Sequence, residues 1–465
     1  MNAGGLTSGQ RRVVILMILA VVVVFAMLAG LIVTSLQSWQ NLSPVSTPSP
    51  APTMWATASL PTPSPSPAPA PTFVFEEGIW SQVQAARLYD QIAHQVEIIR
   101  GLSPRAEVPL SFLDEPEMTR LLERFYGRQD PEALVRPYAE LGLLPEALSI
   151  QVQPRRTAGV YVPDQKQLYV TAGRPESSAD DQGLLAHAYI HALQDQHFDL
   201  GAMDDRATTT DEKLAIQALV EGDAALVTAS YLYGDITAAD WDHVLELVLE
   251  AERPTYGEGL DDVEAWARLE RFPYSEGQRF VSVLYQVGGW QAVNDAYIRP
   301  PHSAEQVLHP ERYLEENVEP VQVAVPDLSD VLGEDWDVLV QDTLGEFVVG
   351  LYLQSVLSEE TSWQAASGWD GDTFAVWEGK AGERLLVWRT IWDSTADAVE
   401  FERALAALVS QRYVPAWPVS APRGLGGQWW ETSTGAVCVI RVARYVLFVH
   451  APDLGLLADI VGSLP

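Results

Sequence analysis

Cysteine is almost absent: the 465 residues hold one, Cys438. No intramolecular disulfide can therefore staple the fold, and in the apolar run AVCVIRV this thiol reads as a small buried hydrophobe rather than a nucleophile. Basic residues are scarce as well, 29 lysines plus arginines against 63 aspartates plus glutamates, for a formal charge of -34. Nucleic-acid binding needs basic patches and none stands out, which excludes that class of partner. What the balance leaves is an acidic, well-solvated surface. Methionine runs out at Met203, and charge of either sign is missing between Arg12 and Glu76.

That uncharged stretch divides in two. Residues 13–36 are apolar and long enough to cross a bilayer, with Arg11 and Arg12 on the N-terminal flank only. The positive-inside rule then places residues 1–12 in the cytoplasm and the rest outside the cell membrane, as an uncleaved single-pass anchor rather than a cleaved signal peptide. Residues 37–72 are rich in proline, serine, threonine and alanine. Such a composition cannot pack a core and favours extended polyproline conformations, so it reads as a semi-rigid stalk.

The globular part is expected to begin near Phe73. Apolar spacing predicts a helix over 79–102, a short strand over 108–112, helices over 115–126 and 131–144, and a hairpin in GVYVPDQKQLYV, residues 159–170. The next helix carries His187 and His191. Four residues apart, two imidazoles share one helix face, the arrangement by which zinc peptidases present two nitrogen ligands. A sheet before such a helix suits a zincin. The usual motif is H-E-x-x-H, however, and Ala188 stands where the general-base glutamate belongs.

A second helix, around Glu212–Gly234, is mostly apolar, and between Lys213 and Asp235 only Glu221 and Asp223 are charged. An isolated carboxylate in a buried helix needs a partner, a proton or a metal, so Glu221 is the expected third ligand. Gly222 beside it suggests close approach of another backbone. The alternative third ligand is His197, ten residues after His187 as in HExxHxxGxxH sequences, but Gln194 occupies the place of the turning glycine there and no methionine follows Met203. Asp195 and Asp223 are expected behind the ligands, orienting them. Tyr189 is a poor substitute base, its unperturbed pKa lying near 10. Tyr274 could stabilise an oxyanion if it faces the site, whereas His302 and His309 read as packing or surface residues.

HAYIHALQDQHFDL with ALVEGDA resembles a family of bacterial membrane-anchored metallopeptidase-like proteins, in which these stretches run approximately HExxHALQDQHFDL and ALxEGDA. More broadly the pattern is similar to gluzincins. The resemblance continues through FPYSEGQRFV, GGW, PPHSAEQVLHPERY and GWDGDTFAVWE, and so covers nearly all of the chain beyond the stalk. It implies zinc on His187, His191 and Glu221 in a mainly helical domain with a small sheet (73–326), and a cleft for a peptide or protein ligand. It does not supply a catalytic glutamate, so the implied protein is a catalytically impaired peptidase homologue, in which zinc itself could have been lost. The alternatives are an active zinc peptidase with a substitute base and a metal-free structural or binding ectodomain.

From 327 to 465 the pattern changes to a helix around 338–357, paired strands, a helix over 396–412, more strands and a last helix. That reads as a small α+β domain with an antiparallel sheet, and the whole as an α+β protein. Trp429 and Trp430, adjacent on a strand, should face opposite sides of it.

Overall fold

A computed structural model of the chain describes residues 82–126, 131–144, 157–172, 178–252, 260, 263–314, 318–324 and 327–464. The expected cytoplasmic segment, membrane helix and stalk lie outside the described residues, among which no helix is long and apolar enough to cross a membrane. The described residues contain 15 α-helices and two sheets, of three and seven strands, an α+β architecture.

The first half holds the small sheet: β1 (Leu110–Leu113), β2 (Gly159–Val162) and β3 (Gln167–Thr171), in the order β1-β3-β2. β3 runs parallel to β1 and antiparallel to β2, as the hairpin pattern predicts. Around it stand α1 (Gln82–Arg100), α2 (Glu115–Tyr126), α3 (Pro131–Glu140), α4 (Ala179–Phe198), α5 (Leu200–Arg206), α6 (Thr210–Tyr233), α7 (Trp241–Glu252) and α8 (Glu264–Ile298). α4 and α6 both open on capping boxes, Ser178 with Asp181 and Thr209 with Glu212, in which side chain and backbone satisfy each other's first orphan groups. α8 is broken at Gly288 and Gly289, whose dihedrals are not helical. Glycine is needed at the break, since Gly289 sits at φ 62°.

Two further glycines fix how the central helices meet. A Cβ on Gly222 of α6 would overlap the Gly277 carbonyl of α8, and one on Gly277 would overlap the Ala218 carbonyl. The two backbones therefore touch, as the position of Gly222 suggested.

Short helices α9 (Ala304–Leu308), α10 (Pro310–Leu314) and α11 (Ser329–Leu332) lead to the second sheet. It consists of β4 (Trp336–Asp342), β5 (Trp369–Gly379), β6 (Arg384–Trp392), β7 (Ala416–Val419), β8 (Gln428–Thr432), β9 (Gly435–Val442) and β10 (Tyr445–Ala451). The order is β4-β5-β6-β10-β9-β8-β7, with every neighbouring pair antiparallel. Helices α12 (Gly345–Gln354), α13 (Glu359–Ala366), α14 (Thr395–Arg412) and α15 (Leu454–Ser463) complete this part. The helix expected around 338–357 is in fact strand β4 followed by α12, because Val338 to Asp342 pair with β5 along its edge. Trp429 and Trp430 are both buried and belong to clusters on opposite faces of the sheet, as strand alternation requires.

The described residues belong to one compact unit. Across the expected boundary at 326/327 a single hydrophobic cluster joins Leu219 of α6 and Phe272 of α8 to Phe347 of α12, Trp388 of β6 and Phe401 of α14. The Phe272 and Phe347 rings lie 4.3 Å apart. Three carboxylates close helix starts near the join, the first of them across it. Asp342 accepts the Thr210 N–H (2.8 Å) at the start of α6, Asp211 accepts the Ala304 N–H (2.9 Å) at α9, and Asp372 accepts the Leu344 and Gly345 N–H groups (2.9 and 3.3 Å) at α12.

Gly222→Ala separates packing from propensity. Alanine in mid-helix gains about 1 kcal/mol over glycine, whereas overpacking costs about 1–3 kcal/mol. The clash with Gly277 makes net destabilisation the expected result in a denaturant titration, and a stabilised variant would contradict the close crossing. A second expectation concerns pH. Burial raises the carboxyls of Asp211 and Asp342, lifts Asp372 to about 7 and lifts Glu305 to about 9. The folded state then binds these protons more tightly than the unfolded chain, so stability falls as pH rises from the ordinary carboxylate range through 7 to 9. His309, raised chiefly by its hydrogen bond to Glu346, acts in the same direction, its contribution being lost as pH climbs through its folded value. Calorimetry should give a lower Tm at pH 8.5 than at pH 5.5.

Candidate metal centre

α4 is buried over most of its length, and its histidines project toward α6. His187 is fully buried, and its Nε2 lies 3.4 Å from Glu221 Oε2; His191, partly open to the cleft, places Nε2 3.7 Å from the same oxygen. One ligand atom from each of His187, His191 and Glu221 falls within 4.8 Å of the others. A tetrahedral zinc with bonds of 2.0–2.2 Å separates its ligands by about 3.3 Å, so the three side chains suit such an ion with small adjustments.

The outward nitrogens settle which way the imidazoles are protonated. His187 Nδ1 lies 3.1 Å from Thr228 Oγ1, and that hydroxyl donates its hydrogen to the Ala224 carbonyl (2.8 Å). The hydroxyl must therefore accept from His187 Nδ1–H. His191 Nδ1 lies 2.8 Å from Gln194 Oε1, while Gln194 Nε2 donates to the Val220 carbonyl (3.0 Å) and to Asp223 Oδ2 (3.1 Å). Two acceptors on the nitrogen side fix the amide's orientation, so Oε1 accepts from His191 Nδ1–H. Both Nε2 atoms face the same Glu221 oxygen. Two imidazole nitrogens with one carboxylate are a donor set for zinc.

The remaining expected site residues divide. Asp223 is fully buried and touches neither imidazole; it stands behind Gln194 and is held by Arg100 Nε (2.7 Å) and the Tyr297 hydroxyl (2.9 Å). Asp195 does not back His191. Its carboxylate accepts from the Tyr161 hydroxyl (2.6 Å) and Lys166 Nζ (2.8 Å), which latches α4 to the hairpin. Asp195 lies on nearly the same helix face as His191 but one turn further along, where the hairpin rather than the ligand is its neighbour. His197 is also elsewhere: its Nε2 meets the Ser103 carbonyl at 2.8 Å, and it is absent from the ligand cluster. Tyr189 donates to Glu97 of α1 (2.8 Å), and burial, ahead of that carboxylate, holds its phenol above the ordinary range. Ala188 is fully buried among apolar neighbours.

The ligands open on a cleft of ≈ 400 Å³, where His191 and Glu221 are joined by Tyr161, Trp266, Glu270 and Tyr274. Tyr274 therefore lines the cavity expected of it. Glu270, one turn earlier on α8, was not foreseen, because a glutamate in an ordinary amphipathic helix carries no signal. Thr228 and Gln194 were also missed, although a glutamine wholly buried in an apolar helix already calls for a hydrogen-bonded partner. His302 and His309 are remote from this cluster, facing Glu319 (3.8 Å) and Glu346 (3.0 Å). Cys438 is buried and its thiol is pushed up to about 12 by desolvation, as a packing residue's would be.

A family described as a domain of unknown function (DUF8575) matches residues 337–461, the part built on the seven-stranded sheet. No curated protein and no solved structure matches the chain.

The Arg100–Asp223 pair, wholly enclosed, is the support most exposed to mutation. Asp223→Ala leaves an uncompensated guanidinium inside the protein, a loss of about 3–5 kcal/mol, to be read as a lowered denaturation midpoint. A change within a few tenths of a kcal/mol would mean that Arg100 finds another partner.

Proposed function

We propose that the chain is a membrane-anchored, extracytoplasmic protein with a gluzincin-like metal centre, in which His187, His191 and Glu221 hold zinc and peptidase chemistry is lost or severely weakened. The observation carrying this reading is the convergence of two imidazole Nε2 atoms on one carboxylate oxygen, with both Nδ1 atoms engaged behind them. The order of small sheet, histidine helix and glutamate helix supports the gluzincin comparison.

Bound there, zinc would supply Lewis acidity toward a substrate carbonyl. The chain's own contribution is unequal. Tyr274 has a hydroxyl in the cleft wall for a developing oxyanion, but Ala188 has nothing with which to take a proton. Absence of a placed general base lowers a rate by about a hundred- to ten-thousand-fold. The surviving capacity is to hold a peptide or protein segment in the cleft. Glu270, in the same cleft, favours a second reading, an active hydrolase that recruits a carboxylate from α8.

Zinc content and turnover of a broad peptide mixture, measured on the full chain in detergent, test both readings. About one zinc per chain, abolished by His187→Ala, with no turnover, is the expected result. Metal-free native protein would overturn the zinc assignment; turnover lost in both His187→Ala and Glu270→Gln would replace the impaired reading by the active one.

A further inference from the structure

We infer that Gln194 is a positioning residue for the metal centre, the middle member of a buried relay that runs from Arg100 through Asp223 and Gln194 to His191. The inference rests on the zinc reading of the three ligands and concerns what holds one of them. Gln194, Asp223 and Arg100 are each essentially inaccessible to solvent. The hydrogen bonds of the relay converge on the carboxylate: Arg100 Nε donates to Asp223 Oδ1 (2.7 Å), Gln194 Nε2 donates to Asp223 Oδ2 (3.1 Å), and Gln194 Oε1 accepts from His191 Nδ1 (2.8 Å).

Position and polarity both matter here. Arg100 is immobilised by Asp223 on one side and by the Trp290 ring on the other, 4.5 Å from the guanidinium carbon. Trp290 reaches it because α8 breaks at Gly288 and Gly289 just before it. Tyr297, beyond the break, donates to the same Asp223 oxygen as Gln194 (2.9 Å). Three helices thus hold the carboxylate that holds the amide.

The amide is also a chemical choice. A carboxylate against a ligand's Nδ1–H raises imidazole basicity and tightens metal binding. Here the full negative charge stands one residue back, balanced by Arg100, and His191 meets a neutral oxygen. His187 likewise meets a neutral hydroxyl. Both imidazoles are oriented without being made strongly basic, so the centre holds its ion less tightly, and leaves it more electrophilic, than carboxylate-backed histidines would.

The test uses the full chain in detergent, loaded with zinc or cobalt(II). Zinc affinity is read by chelator competition, the cobalt ligand-field spectrum reports coordination, and the Tm of metal-free protein controls for folding. Gln194→Leu should weaken zinc binding about 10- to 100-fold and alter the cobalt spectrum. Gln194→Glu sets two carboxylates together and should fail as well. It also sets a carboxylate oxygen against the Val220 carbonyl, to which the amide donates (3.0 Å). Native affinity and spectrum in Gln194→Leu would overturn the inference. Native protein that binds neither ion would instead overturn the zinc reading beneath it.

Discussion

A guanidinium and a carboxylate paired wholly inside the protein is the constraint around which the helical half is arranged. Each ion loses its hydration on burial, and mutual attraction compensates only where geometry and further hydrogen bonds are good. Asp223 meets that condition with three donors, contributed by α1, α4 and α8, while itself belonging to α6. Four helices must hold their relative positions for the charge to remain satisfied. The histidine pair and Glu221 sit on two of those helices, and inherit their precision from this pair rather than from each other.

Seen from the ligands, the same economy of parts recurs. Glycine at positions 222 and 277 lets α6 and α8 approach until their backbones meet, which brings the residues flanking Gly222 into the centre: Glu221 toward the histidines and Asp223 toward Arg100. The GGW segment has a comparable role, since two glycines end one helical axis and deliver Trp290 to the arginine. Motifs that look like separate signatures along the chain thus converge on one buried neighbourhood.

Legibility in the sequence followed the range of the physics. His187, His191 and Glu221 could be named because four-residue spacing and an isolated carboxylate in an apolar helix are local signals, and the structure brings these three together. The hairpin and most strands of the second sheet are local too. What could not be read were features decided by distant partners. Asp195 differs from Gln194 by one position, yet the 100° rotation between them sends one to the hairpin and the other to the metal centre. β4 looked helical because its pairing with β5 lies more than thirty residues away. The change of pattern near 326 was visible, but not that both sides of it fill a single core.

That common core bears on how anything enters the cleft. Leu269, Pro273 and Tyr274 form part of its wall, and Phe272 on the same turn of α8 packs against the Phe347 ring at a tilt of 45°. Two-lobed proteins commonly admit ligands by swinging one lobe about a hinge. A hinge at the junction of the helical and sheet parts would have to part those rings and expose the apolar cluster around them. Opening the cleft by such a hinge would therefore sacrifice the apolar burial that joins the two parts.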